Sequence, residues 1–151
     1  MRSAVVLFLA VALGACASSR VACERLWPGY ERAVFEVRDG REGTEALPVV
    51  RTESRWGGTV EVRYQQGEAI VSESSVIDAA GASWRRRFVI EALPANRELI
   101  VRVPTRAGSG RLLSVAVNGA PLVPEPGALE SVVHLARDEA TVITVRGVAA
   151  E

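Results

Sequence analysis

The sequence predicts an all-β fold, a single antiparallel β-sandwich, and three observations predict it. From Ala33 onward, apolar and polar side chains alternate with period two, the pattern of strands with one face on a core and one in water. Turn-forming clusters interrupt that alternation at short intervals: "RDGREG", "RWGG", "QQGE", "AAGAS", "LPANRE", "RAGSG" and "VPEPGA". Asn118-Gly119 has the chemistry of a two-residue type I′ hairpin, which needs positive φ at both places. Short strands so punctuated favour a sandwich or barrel over βαβ units, and the spacing implies about eight or nine of them.

In chain order, residues 1–15 read as a leader, 16–32 as a tether and 33–151 as the sandwich domain. The tether lacks periodicity, apart from a turn at Pro28-Gly29 and room for one helical turn from Cys23 to Trp27. In the body, Ala33, Phe35 and Val37 alternate with Val34, Glu36 and Arg38, and Val60, Val62 and Tyr64 with Thr59, Glu61 and Arg63. Leu99, Val101 and Val103 share a face, as do Leu113, Val115 and Val117. In the last run, Ala140 to Val148, Ile143 and Val145 oppose Val142 and Thr144. Val60, Val62, Val101, Val103, Val115 and Val117 are therefore expected to point inward. Pro121 confines the strand returning from Asn118-Gly119 to a sheet edge. Strand orders of the immunoglobulin-like or jelly-roll kind both suit this spacing. No internal repeat is visible.

The first sixteen residues bear on location. Arg2 precedes an uncharged apolar run, Ala4 to Leu13, of ten residues. A spanning helix needs about 20, whereas a secretory h-region needs no more than this. Leu13, Gly14, Ala15 and Cys16 then resemble the lipobox of bacterial lipoproteins: an apolar residue, two small ones and a cysteine. The resemblance implies a signal peptide removed before Cys16, whose sulfur is diacylated and whose new amino group is often acylated again, commonly with palmitate. Two or three acyl chains hold a protein firmly where one does not. The protein would then be lipid-anchored in the cell membrane or outer membrane, with its body in the periplasm or exposed outside. In many Gram-negative lipoproteins a residue other than Asp after the cysteine allows transfer to the outer membrane, and Ala17 fits that pattern. A signal cut near Ala17 is the rival reading; Val21-Ala22-Cys23 is a poor box because Arg20 takes the apolar position. With Cys16 acylated, Cys23 has no partner for an internal disulfide, leaving a free thiol or an intermolecular pair.

Without residues 1–15, 136 residues remain, a single-domain length that buries about two-thirds of its unfolded surface. All 18 basic residues are arginine, and removing Arg2 leaves 17 against 18 acids, a charge of −1. A neutral balance without a basic block argues against nucleic-acid binding.

No motif carries catalysis. The one histidine, His134 in "SVVHLAR", shares a strand face with Val132 and has no nucleophile elbow to serve. One His and one spare Cys fall short of the three or four ligands of a zinc site. Gly108-Ser109-Gly110 begins like a phosphate loop but continues Arg111-Leu112-Leu113, so it reads as a loop between strands. Carboxylate pairs such as Glu73 with Asp78, or Asp138 with Glu139, follow no catalytic spacing. No catalytic residue, metal or cofactor is expected.

Binding residues are better represented. In "SWRRRF", Trp84, Arg86 and Phe88 share the apolar face, with Arg86 stacked on Trp84 at its rim, while Arg85 and Arg87 face water. The outward pair suits an anionic envelope polymer or headgroup, or serves only to keep a sheet edge from aggregating. Trp27, Tyr30 and Trp56 lie in turn-rich segments where exposed rings stack on sugars, although sandwich cores also consume tryptophans. The stretch "ELIVRVPTRAGSGRLLSVAVNGAPLV" is similar to accessory β-sandwich domains of carbohydrate-active enzymes, through Val117, Asn118, Gly119, Pro121 and Leu122. That resemblance implies a fold, and no binding residue. The expected function is a membrane-anchored, non-catalytic cell-envelope lipoprotein, a binding or structural module whose partner is an envelope protein or a glycan. The alternative is a carbohydrate- or envelope-polymer-binding module, with a hydrolase third. Trp56, Arg85 and Arg87 are the candidate ligand contacts.

Overall fold

Alternation in the sequence becomes two antiparallel sheets facing each other across one apolar core. The computed structural model describes residues 24–30, 36–39, 44–47, 49–55, 59–78 and 82–148. Its strands are β1 (Glu36–Asp39), β2 (Thr44–Ala46), β3 (Val49–Arg55), β4 (Thr59–Gln66), β5 (Ala69–Asp78), β6 (Ser83–Ala92), β7 (Arg97–Pro104), β8 (Leu113–Val117), β9 (Ala120–Leu122), β10 (Glu130–His134) and β11 (Thr141–Gly147). One sheet has the order β10-β7-β1-β2 and the other β3-β4-β5-β6-β11-β8-β9. The described residues hold eleven strands, against the eight or nine implied by turn spacing; a three-residue piece such as β2 is too short to show alternation.

The inward faces supply the core. β7 contributes Leu99, Val101 and Val103, β11 contributes Ile143 and Val145, and β5 and β6 contribute Val71, Trp84 and Phe88. Of the six valines expected inside, Val101, Val103 and Val115 are buried. Val62 and Val117 are only half-buried against the core, and Val60 is half-buried as well. They lie on β4 and β8, each one strand from a sheet edge, where the facing sheet covers less of them.

The Asn118-Gly119 hairpin forms as expected. Both residues have positive φ, 49° and 82°, and Val117 pairs with Ala120 across them. Its return strand β9, carrying Pro121, is an edge strand. Asn118 also ties the hairpin to β11: its N–H donates to the Val142 carbonyl at 2.8 Å and its Oδ1 accepts from the Val142 N–H at 2.7 Å. Asn118→Ala should cost about 1–2 kcal/mol in urea unfolding, combining left-handed strain with a lost hydrogen bond.

The tether reading needs correction. Residues 24–30 belong to the body: Glu24–Leu26 form one helical turn, Leu26 and Trp27 are buried, and Tyr30 packs on the core. Trp27 Nε1 donates to the Arg102 carbonyl on β7 at 3.2 Å. The Gly108 N–H donates to the Arg25 carbonyl at 2.7 Å, and a Cβ at Gly108 would lie 3.1 Å from the Glu24 carbonyl oxygen. Glycine in the β7–β8 loop thus lets the N-terminal strap approach closely.

Candidate functional site

β6 carries arginine on both faces, with opposite consequences. On the inner face, strand register sets the neighbours of Arg86. Glu73 of β5 stands opposite Phe88, so Arg86 reaches it diagonally; Tyr64 of β4 stands opposite Val71 and reaches Glu73 by the other diagonal. Arg86 Nε and Nη2 donate to Glu73 Oε1 and Oε2 at 2.6 and 2.8 Å, and the Tyr64 hydroxyl donates to Oε2 at 2.6 Å. Arg86 is 1% exposed and Glu73 3%. Arg86 therefore sits inside the core, not at its rim, and the pairing of Glu73 with Asp78 is replaced by this one.

Rings enclose the cation. Arg86 Cζ lies 4.4 Å from the Trp27 ring centroid, 4.6 Å from Trp84 and 5.1 Å from Phe88. Trp27 and Tyr30 both meet Trp84 edge-on, with centroids 5.5 and 5.2 Å apart. These contacts act where Arg86 Nη1, buried, finds no hydrogen-bond acceptor. Trp27 is consequently a core residue, and half-buried Tyr30 packs edge-on against Trp84; Trp56 lies outside the described residues.

The electrostatics describe a locked pair. Burial by itself lowers the affinity of Arg86 for its proton, but the Glu73 carboxylate more than offsets this, and Arg86 holds its proton beyond the ordinary arginine range. Burial first, and then Glu73, push the Tyr64 phenol well above 10. The folded phenol keeps a proton that the unfolded chain gives up near pH 10, so its stabilisation is complete below about pH 10 and falls as pH rises beyond it. Denaturation midpoints should therefore drop steeply above pH 10, and Tyr64→Phe should flatten that limb. An equally steep limb in the variant would place the titration elsewhere.

On the outer face, Arg85 and Arg87 are exposed, as their alternation with Trp84, Arg86 and Phe88 requires. A third arginine joins them. Thr144 of β11 stands opposite Arg85, which places exposed Arg146 on the diagonal, between Ser83 and Ser114. Ser74 stands opposite Arg87. Among the described residues, none of the three guanidiniums has a hydrogen-bond or ion-pair partner. By contrast, Arg63 on the same face pairs with Glu91 at 3.0 Å. Alternation puts Arg146 on the Val142 and Thr144 face, but only the β6–β11 register brings it beside Arg85.

Other candidates stay apart. His134 is exposed beside Val132, with Nδ1 3.6 Å from Glu98 Oε2 on the outer face of the smaller sheet. Asp138 and Glu139 are exposed in the β10–β11 loop. Gly108-Ser109-Gly110 is a loop between β7 and β8. Among the described residues no group of three or more His, Cys, Asp or Glu is placed to hold a metal. Cys16 and Cys23 lie outside the described residues.

The site is thus an outward arginine face on a sandwich whose inner ionic cluster is sealed. No family model, no curated protein and no solved structure matches this chain.

Proposed function

We propose that the chain is a membrane-anchored, non-catalytic cell-envelope lipoprotein whose sandwich is a binding module for an anionic envelope partner. The observation that carries the binding role is the set Arg85, Arg87 and Arg146 on the outer face of β6 and β11, unpaired among the described residues. A guanidinium that is not paired with a carboxylate retains its capacity for charge-assisted bonds to phosphate or carboxylate. Anchoring rests on the lipobox Leu13-Gly14-Ala15-Cys16 behind a short apolar run. An aromatic, sugar-stacking role falls to Trp56, since Trp27 is buried and Tyr30 packs against the core.

Both halves are testable. Cys16→Ser should move the protein from the membrane to the soluble fraction, and retention after a high-salt wash would remove the anchor. The soluble protein is then offered peptidoglycan, lipopolysaccharide and a glycan panel. Binding through the arginine face should weaken in Arg85→Ala/Arg87→Ala and in 1 M salt, where the Debye length is about 3 Å. Binding that tolerates salt and fails in Trp56→Ala would reassign the site to Trp56.

A further inference from the structure

We infer that the arginine face docks the body flat onto the phosphate headgroups of the same membrane that holds its anchor. This rests on the lipidation of Cys16 and on the arginine face as the contact surface. Arg85 and Arg87, two residues apart on one strand, are separated by about 7 Å. Arg146 completes a triangle on the diagonal, roughly 7–8 Å from Arg85. Hydroxyls of Ser74, Ser83, Ser114 and Thr144 occupy the positions between and beside them. Such a flat array of forks suits a layer of phosphates better than one enclosed anion. Among the described residues three acids share the face: Asp78, opposite Ser83 and diagonal to Arg85, Glu61, opposite Ser74, and Glu91, beside Arg63. Asp78 and Glu61 each already have an interaction of their own, and Glu91 pairs with Arg63.

The fold puts this face beside the anchor's point of departure. The strap starting at Glu24 is held by the β7–β8 loop at Gly108. At that same end, β11 finishes at Gly147, one residue after Arg146, and the Gly147 N–H donates to the Ala82 carbonyl just before β6. Arg111 from the β7–β8 loop packs on Gly147 and donates to the Val148 carbonyl. Beside it, Leu112 and Val148 are 52% and 44% exposed and joined by a backbone hydrogen bond. Exposed Arg25, Arg106 and Arg111 add charge there. Basic side chains around exposed apolar ones form the pattern of an interfacial surface.

Leash length then limits the alternatives. Seven residues, 17–23, separate Cys16 from Glu24. Fully extended, they reach about 28 Å, close to the width of a small domain. The near end of the body cannot leave the headgroup layer by more than that. Each arginine near an anionic surface favours the docked state roughly fivefold, so three together shift it on the order of a hundredfold.

The test uses the full lipidated chain in a Cys23→Ser background, with one fluorophore on Ser114→Cys, on the arginine face, or on His134→Cys, on the outer face of the smaller sheet. Each is reconstituted into vesicles of phosphatidylcholine, with or without phosphatidylglycerol, carrying a headgroup nitroxide quencher. The Ser114 label should be quenched several-fold more than the His134 label in anionic vesicles. Arg85→Ala/Arg87→Ala/Arg146→Ala, with a melting temperature near that of the parent, should abolish the difference, as should 1 M salt. Equal quenching at the two labels, or quenching independent of headgroup charge, overturns the docking. So does binding of soluble polyphosphate to the face without quenching by vesicles, which would assign it to a soluble polymer. Mass spectrometry separates the two readings: acylated Cys16 without quenching defeats docking alone, whereas unacylated Cys16 defeats both.

Discussion

Arg86→Met is expected to destabilise the protein by about 3–5 kcal/mol, the usual cost of removing one partner from a buried ion pair. Glu73 would remain in the core with Tyr64 as its only hydrogen-bond donor of the three it now has. The loss is not one of volume, since methionine fills much of the arginine stem's space beside Trp27, Trp84 and Phe88. It is the cost of a carboxylate without its cation, together with the cation–π contacts of three rings. Against a domain stability of about 5–15 kcal/mol, this would lower the melting temperature by roughly 10–20 °C. The decisive comparison is Tyr64→Phe/Glu73→Leu/Arg86→Met, which leaves no buried polar atom of the cluster unpaired. A buried pair replaced by packed apolar groups is often neutral or stabilising, so this variant should recover most of the loss. If the single variant loses less than about 1 kcal/mol, the guanidinium is solvated and the cluster is not sealed. If the triple variant is as unstable as the single one, the pair itself contributes net stability.

The two faces of "SWRRRF" mark the limit of what the sequence discloses. Period-two alternation is local, so it separates Arg85 and Arg87 from Trp84, Arg86 and Phe88 without any tertiary information. It likewise places His134 with Val132 and predicts a sandwich. The destination of Arg86 is not local: it depends on β5 and β6 pairing Glu73 with Phe88, and on β4 and β5 pairing Tyr64 with Val71. A shift of one residue in either register would send Glu73 to solvent and leave Arg86 uncompensated. An arginine between Trp and Phe on an apolar face therefore reads as a rim residue, because the sequence does not show its carboxylate. Arg146 escapes for the same reason, since alternation assigns its face but not its neighbour. The strap escapes for another: "CERLWPGYER" has no periodicity, and its burial comes from an open end of the sandwich that only the assembled sheets create.

Trp27→Ala should have an effect of similar size, about 3–5 kcal/mol, and it separates a strap from a tether. In a tether the ring would be exposed, and its removal would change stability by less than about 0.5 kcal/mol. In the folded body Trp27 is 2% exposed, donates to the Arg102 carbonyl, meets Trp84 edge-on and covers one side of the Arg86 guanidinium. Its loss opens a cavity against the buried cation and leaves the Arg102 carbonyl without that donor. The consequences should spread along the strap. The Gly108 amide, now bonded to the Arg25 carbonyl, should lose hydrogen-exchange protection, and Arg25 should become a site of tryptic cleavage. Protection at β7 and β11, away from the strap, should fall only by the global change in stability. A variant that melts like the parent and keeps its Gly108 amide protected would show that the strap is held without its tryptophan. The distinction reaches function through geometry: a strap fixed at Gly108 gives the chain one point of departure, beside Arg146 and Arg111. With Trp27 removed, the proposed leash would lengthen by the residues set free, and the arginine face would lose its fixed distance from the proposed anchor.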